Sequence, residues 1–136
     1  MFKCKQPIGI KELVSRKVFE DRGEKAWALL DERALKTLDT LRAKFGPITI
    51  NDWSWGGSNE YRGLREPECK IGAIYSQHRF GRAFDCKFRD VSVDTVREYI
   101  LLNPKEFPFI SSLEMNVTWL HFDVRNYGPG ILKFNP

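Results

Sequence analysis

The chain has 136 residues, 42% of them hydrophobic and 29% charged, with four Trp and ten Phe; this fits one domain with a filled core and excludes a disordered or fibrous chain. The net charge of +4 favours an anionic partner, but basic and acidic residues interleave and no block of like charges marks a nucleic-acid-binding tail. No apolar run approaches the ~18 residues of a membrane span, and MFKCKQPIGIKELVSRK lacks the apolar stretch of about 7–15 residues of a secretory signal, so synthesis in the cytoplasm without a signal peptide is expected.

In residues 8–22, Ile10, Leu13, Val14 and Val18 recur at helical spacing, and Gly23 is the expected stop. Across residues 24–45, Trp27, Leu30, Leu35, Leu38 and Leu41 recur every three to five residues, and a second helix is expected from a cap at Asp31 to Phe45, ended by Gly46-Pro47. PITIND then alternates as a strand with Ile48 and Ile50 on one face. Residues 52–75 form a long connection whose Trp53, Trp55 and Tyr61 argue for order, and connections of this length in small domains usually carry function.

RAFDCKF (82–88) alternates again, with Phe84, Cys86 and Phe88 towards the core and Asp85 on the opposite face. Ser92 caps a helix carrying Val93, Val96, Tyr99 and Ile100, which Asn103-Pro104 ends. FISSLEM (109–115) and WLHFDVR (119–125) read as two strands of a hairpin joined at MNVT. The second strand sets Leu120, Phe122 and Val124 against the core and Trp119, His121, Asp123 and Arg125 on the other face. The expected fold is therefore α+β: one domain, residues 1–136, with N-terminal helices, one inserted helix and a small, mostly antiparallel sheet.

Two histidines, His78 and His121, are the whole complement of the chain. Imidazole nitrogen and carboxylate oxygen are zinc ligands, and a catalytic zinc keeps three protein ligands and one open position; two His and one Asp meet that count. A lone His is also commonly a hydrogen-bonded polar residue, and spacing alone leaves both readings open. The three cysteines, Cys4, Cys69 and Cys86, follow no C-x-x-C or disulfide pattern and read as free thiols.

SQHRFGRAFD reads as S-x-H-x-x-G-x-A-x-D (Ser76, His78, Gly81, Ala83, Asp85), followed by W-x-H-x-D (Trp119, His121, Asp123). In these residues the chain resembles the zinc D-Ala-D-Ala carboxypeptidase and L-alanyl-D-glutamate peptidase family. That family includes phage endolysin peptidases and shares its fold with the hedgehog signalling domain. The resemblance spans roughly residues 48 to 125. It implies a hedgehog/DD-peptidase-like fold, one zinc ion held by His78, Asp85 and His121, and hydrolysis of peptidoglycan stem peptides. Gly81 would turn the backbone between the first two ligands, and Ser76 and Asp123 would support them from behind.

Many members carry the general base three residues before the last histidine, where this chain has Thr118; Glu114 is the substitute. The arginine that grips a substrate carboxylate is sought in YRGLR, at Arg62 or Arg65, with Trp53 and Trp55 as cleft walls and Arg79 and Arg82 at the surface. The implied protein is a monomer acting on the cell wall, a metallopeptidase of carboxypeptidase or endopeptidase type, released by lysis or carried in a virion. The alternative is an inactive zinc-holding domain that binds wall or serves as a structural virion part. A nucleic-acid partner has only the net charge in its favour.

Overall fold

The computed structural model describes residues 8–73, 75–125 and 130–136; Cys4 lies outside them. The expected helix over residues 8–22 divides in two. A 3-10 turn covers Ile10–Glu12, and helix α1 covers Arg16–Arg22. Ser15 causes the break. Its hydroxyl accepts from the Val18 amide at 3.2 Å, capping α1, and donates to Glu66 at 2.5 Å. Val14 meanwhile forms a parallel bridge to Leu64. Helix α2, Glu32–Phe45, starts where expected: the Asp31 carboxylate accepts from the Arg33 amide at 2.8 Å, and Gly46 follows its last turn. Its buried face is Ala34, Thr37, Leu38 and Leu41.

Strand β1 is only Ile48–Thr49. The chain leaves the sheet early because the Asn51 amide bonds to Glu12 O at 3.0 Å and its side chain reaches Val14 O at 2.9 Å. After the long connection come β2 (Ala83–Phe88), α3 (Val93–Leu102, capped by Ser92), β3 (Ser112–Glu114) and β4 (Leu120–Asp123). Sequence alternation did not reveal β5, Leu132–Phe134, because three residues are too short to show a period.

Among the described residues the molecule is α+β, with three α-helices and a five-stranded mixed sheet in the order β1-β2-β4-β3-β5. Pairing is antiparallel except for β5, which runs parallel to β3. Phe84 lies opposite Phe122, and Cys86 opposite Leu120. With Leu113 they are fully buried, in one core with Leu38, Leu41, Val96 and Ile100 of the helices. Each large apolar side chain buried there contributes roughly 1.5–3 kcal/mol. The same register sets Asp85 against His121 and Ala83 against Asp123 on the other face. With a period of two, a core that fixes Phe84 and Phe122 also fixes where Asp85 and His121 point.

Candidate metal centre

His78 sits in a 3-10 turn, Gln77–Phe80, that Ser76 caps by accepting from the His78 amide at 3.3 Å. Gly81 closes the turn with φ +67°, and an added Cβ there would meet Leu29 O at 2.2 Å. Only glycine satisfies both demands. The next residues enter β2, so Asp85 lies on the cleft face of the sheet. His121 comes from the neighbouring strand β4, directly across from Asp85. One turn and two adjacent strands thus bring three side chains together. One ligand atom from each of His78, Asp85 and His121 lies within 4.8 Å of the others, as a shared metal ion requires. His78 Nε2 is 3.3 Å from Asp85 Oδ1, and His121 Nδ1 is 2.8 Å from the same oxygen. Ligands about 2.0–2.1 Å from a tetrahedral zinc stand roughly 3.3 Å apart, close to both of these separations.

The hydrogen-bonding chemistry of His78 favours a cation. Its Nδ1 lies 3.0 Å from Gly63 O, an acceptor, and its Nε2 faces the Asp85 carboxylate, another acceptor. A neutral imidazole has one N–H and can satisfy only one of them. The second could be a proton, but the ring is 3% exposed, and its burial pushes its pKa down against the pull of Asp85. A metal ion at Nε2 leaves the Nδ1–H to donate to Gly63 O and removes the conflict. Gly63 is pressed so closely on the N-terminal segment that a Cβ would meet Leu13 O at 2.1 Å. That contact keeps the carbonyl in place.

His121 is held from the far side. Its Nε2 faces Asp123 Oδ2 at 3.1 Å, so Nδ1 is the atom presented to Asp85 and to an ion. Asp123 in turn accepts from Ser112 Oγ at 2.6 Å and from Arg125 Nε and Nη2 at 2.7 and 2.6 Å. Burial opposes a charge on His121, but hydrogen bonds to Asp123 and Asp85 outweigh it and raise its pKa to about 9. Without a metal, His121 is an imidazolium between two carboxylates. Burial would raise both carboxyls; the facing histidines instead hold Asp85 well below the ordinary range, and His121, Arg125 and Ser112 bring Asp123 to about 2.

Glu114 ends β3 one register step beyond the Leu113–Phe122 pair, beside His121. Its Oε2 is 3.8 Å from His121 Nδ1. Partial burial raises its pKa, opposed by the charges of His121, Arg65 and Arg97. A carboxylate at the edge of such a site is placed to exchange a proton with a bound water.

These groups line a cleft of about 590 Å³, with Trp119, Tyr75, Phe134 and Arg125 on its walls. Arg65 lines it too. Its Nε donates to Tyr61 O at 2.7 Å and one Nη to Ile71 O at 3.2 Å, which leaves the rest of a fixed guanidinium towards the cleft. Burial lowers its pKa, while Asp85 and Glu114 counter that effect.

Arg62, the other expected carboxylate-binding arginine, is not among the described residues that line the cleft. Its amide is tied to Asn51 Oδ1 at 3.0 Å and its carbonyl to the Asp85 amide at 2.8 Å, and its charge acts on Asp52 and Cys86 instead. The expected aromatic walls are displaced as well. Trp53 donates to Val14 O at 2.9 Å and packs on Phe19, and Trp55 is 64% exposed. Arg79 is no mere surface residue: it binds the carbonyls of Pro67, Cys69 and Ala73, stapling that loop beside the cleft. Cys69 and Cys86 are buried free thiols. Sequence reading overlooked Gly63, Ser112 and Phe134. Of these only Ser112 left a signal, through its position in a hairpin strand facing W-x-H-x-D.

Comparison of the chain with protein-family models, with curated proteins and with solved structures returned no match. No helix among the described residues is long and apolar enough to cross a membrane. The assignment of function rests on the site.

Proposed function

We propose that the chain is a zinc-dependent peptidase of the D-Ala-D-Ala carboxypeptidase and L-alanyl-D-glutamate peptidase family, with a hedgehog/DD-peptidase-like fold. Its substrate is the stem peptide of bacterial peptidoglycan. The observation that carries the reading is the convergence of His78, Asp85 and His121 within 4.8 Å, with both ring nitrogens turned to one carboxylate oxygen and Glu114 alongside. Nitrogen, nitrogen and carboxylate oxygen suit zinc better than a hard cation such as calcium or magnesium.

His78, Asp85 and His121 would hold the ion, which when bound lowers the pKa of water and polarises a scissile carbonyl. Glu114 takes the proton of the attacking water and passes it to the leaving amine as the C–N bond breaks, yielding a carboxylate and an amine. Asp123 keeps His121 in the required tautomer and orientation. Arg65, held by Tyr61 and Ile71, offers its fork to a substrate carboxylate. Apolar side chains of Trp119, Tyr75 and Phe134 cover the peptide on either side. The net charge of +4 draws the protein to an anionic wall.

The test is loss of turbidity of purified cell walls with zinc-loaded protein, with mass spectrometry of the released peptides to identify the bond cut. Walls left intact while one zinc is bound per chain would sink the peptidase reading. A second reading, a zinc-holding domain without hydrolysis, draws on Thr118 at the position where many members of that family hold the acid; intact walls would favour it.

A further inference from the structure

Arg97 lies on α3, and its guanidinium, 5% exposed as a residue, is spent on the hairpin that carries Glu114 and His121. One Nη donates to Val117 O at 3.1 Å and to Trp119 O at 3.0 Å. The other meets Asp94, whose side chain is 93% exposed and therefore neutralises the buried charge poorly. Nε is buried with no hydrogen-bond partner among the described residues. For stability alone this is an unfavourable choice, because a buried cation with weak compensation is commonly outdone by an apolar side chain of similar volume. Besides a charge that reaches Glu114, Arg97 supplies a rigid donor to two carbonyls of the connection between β3 and β4.

That connection needs holding. Asn116 takes φ +61°, unusual for a residue other than glycine. On its other side it is secured through Asn116 Nδ2 to Asn135 Oδ1 at 2.5 Å and the Met115 amide to Phe134 O at 2.6 Å. The connection is the five residues Met115 to Trp119, between Glu114 of β3 and Leu120 of β4, and Trp119 at its end lines the cleft. Arg97 itself is not among the described residues lining the cleft.

We propose that Arg97 is a positioning residue: by clamping the carbonyls of Val117 and Trp119 it sets the placement of His121 and Glu114 at the metal centre. This rests on the peptidase reading for its effect on turnover, and on the metal site alone for its effect on affinity. The test compares Arg97→Met and Arg97→Lys with the wild type. Val96→Ala, which hollows the core one residue away, serves as the control for lost stability. Zinc affinity is read by competition with a chromophoric chelator, geometry by the visible spectrum of the Co²⁺-substituted protein, stability by thermal unfolding, and turnover by peptide release from walls.

Arg97→Met is expected to weaken zinc binding tenfold or more, to alter the Co²⁺ spectrum, and to lower kcat about tenfold with KM within threefold, the range seen for outer-shell partners. Arg97→Lys, which retains a charge but not the planar fork, should fall between. Val96→Ala should lose stability and keep wild-type zinc affinity. Wild-type zinc affinity and Co²⁺ spectrum in Arg97→Met, or equal loss of affinity in Val96→Ala, overturns the inference. If Arg97→Met does not fold, wild-type affinity and kcat in Arg97→Lys overturn it. Zinc binding without hydrolysis by the wild type overturns the peptidase reading and leaves Arg97 to be judged on affinity. Hydrolysis indifferent to Arg97 overturns the inference alone, and a wild type that takes up no metal overturns both.

Discussion

A zinc ion entering the proposed site would have to displace a proton from His121. In the metal-free protein that ring titrates at about 9, so at pH 7 it is an imidazolium donating to Asp85 and Asp123. The metal needs the Nδ1 lone pair that this proton occupies. His78 adds no proton in this range because burial lowers its pKa, and Asp85 is ionised throughout. Two pH units lie between neutrality and the titration of His121. The penalty at pH 7 is therefore on the order of a hundredfold in affinity. Apparent zinc affinity should rise about tenfold per pH unit between pH 7 and 9 and then level off. Calorimetry at pH 7.5 in two buffers of different ionisation enthalpy should find close to one proton released per zinc. Chelator competition across the same range checks the slope. Affinity independent of pH, or no proton released, would refute the picture of His121 as a protonated ring between two carboxylates. Release of two protons would show that His78 is charged as well, and would remove the argument that its hydrogen bonding calls for a metal.

The metal-free protein should lose stability between pH 6.5 and 9, because a folded-state pKa raised to about 9 from 6.5 stabilises fully below the lower value and not above the higher; thermal unfolding in chelator follows it, and a flat profile counts against the assignment. At the acid end, Asp123 at about 2 contributes stability that is present above about 4 and disappears as pH falls through 2, so Asp123→Asn should flatten the acid limb of unfolding and weaken zinc binding about 10–100-fold. Glu114→Gln should bind zinc as the wild type does and lower peptide release by about 10²–10⁴; full activity in that variant would place the proton transfer elsewhere. Gly81→Ala combines φ +67° with a Cβ 2.2 Å from Leu29 O, so it should destabilise by at least ~1–3 kcal/mol and shift Tm down by several degrees; an unchanged Tm would mean the turn relaxes freely.

Much of this was legible in the chain because it depends on local periodicity. The caps Asp31 and Ser92, the ends of α2 and α3, and the inward Phe84 and Phe122 follow from residue types at fixed spacing. The face carrying Asp85, His121 and Asp123 follows from the same alternation, since a period of two ties the site face to the core face. Spacing could not tell a ligand from a packed histidine. The motif likeness suggested the set, and only pairing of β2 with β4 placed Asp85 across from His121.

Other features depended on contacts distant in sequence and left no local trace. Arg62 and Arg65 stand three residues apart in one loop, and either could have served by type. The bridge of Leu64 to Val14 and the hydrogen bonds at Arg62 turn one of them into the cleft and the other away. Trp53 is drawn into the core by Val14 O. β5 gains its register from β3, and Arg97 finds its two carbonyls across gaps of 20 and 22 residues. Periodicity and capping act within a few residues and can be read along the chain. Which side of a loop faces a cleft, and which buried cation holds which carbonyl, is decided by pairing between remote segments, and that exists only once the sheet has formed.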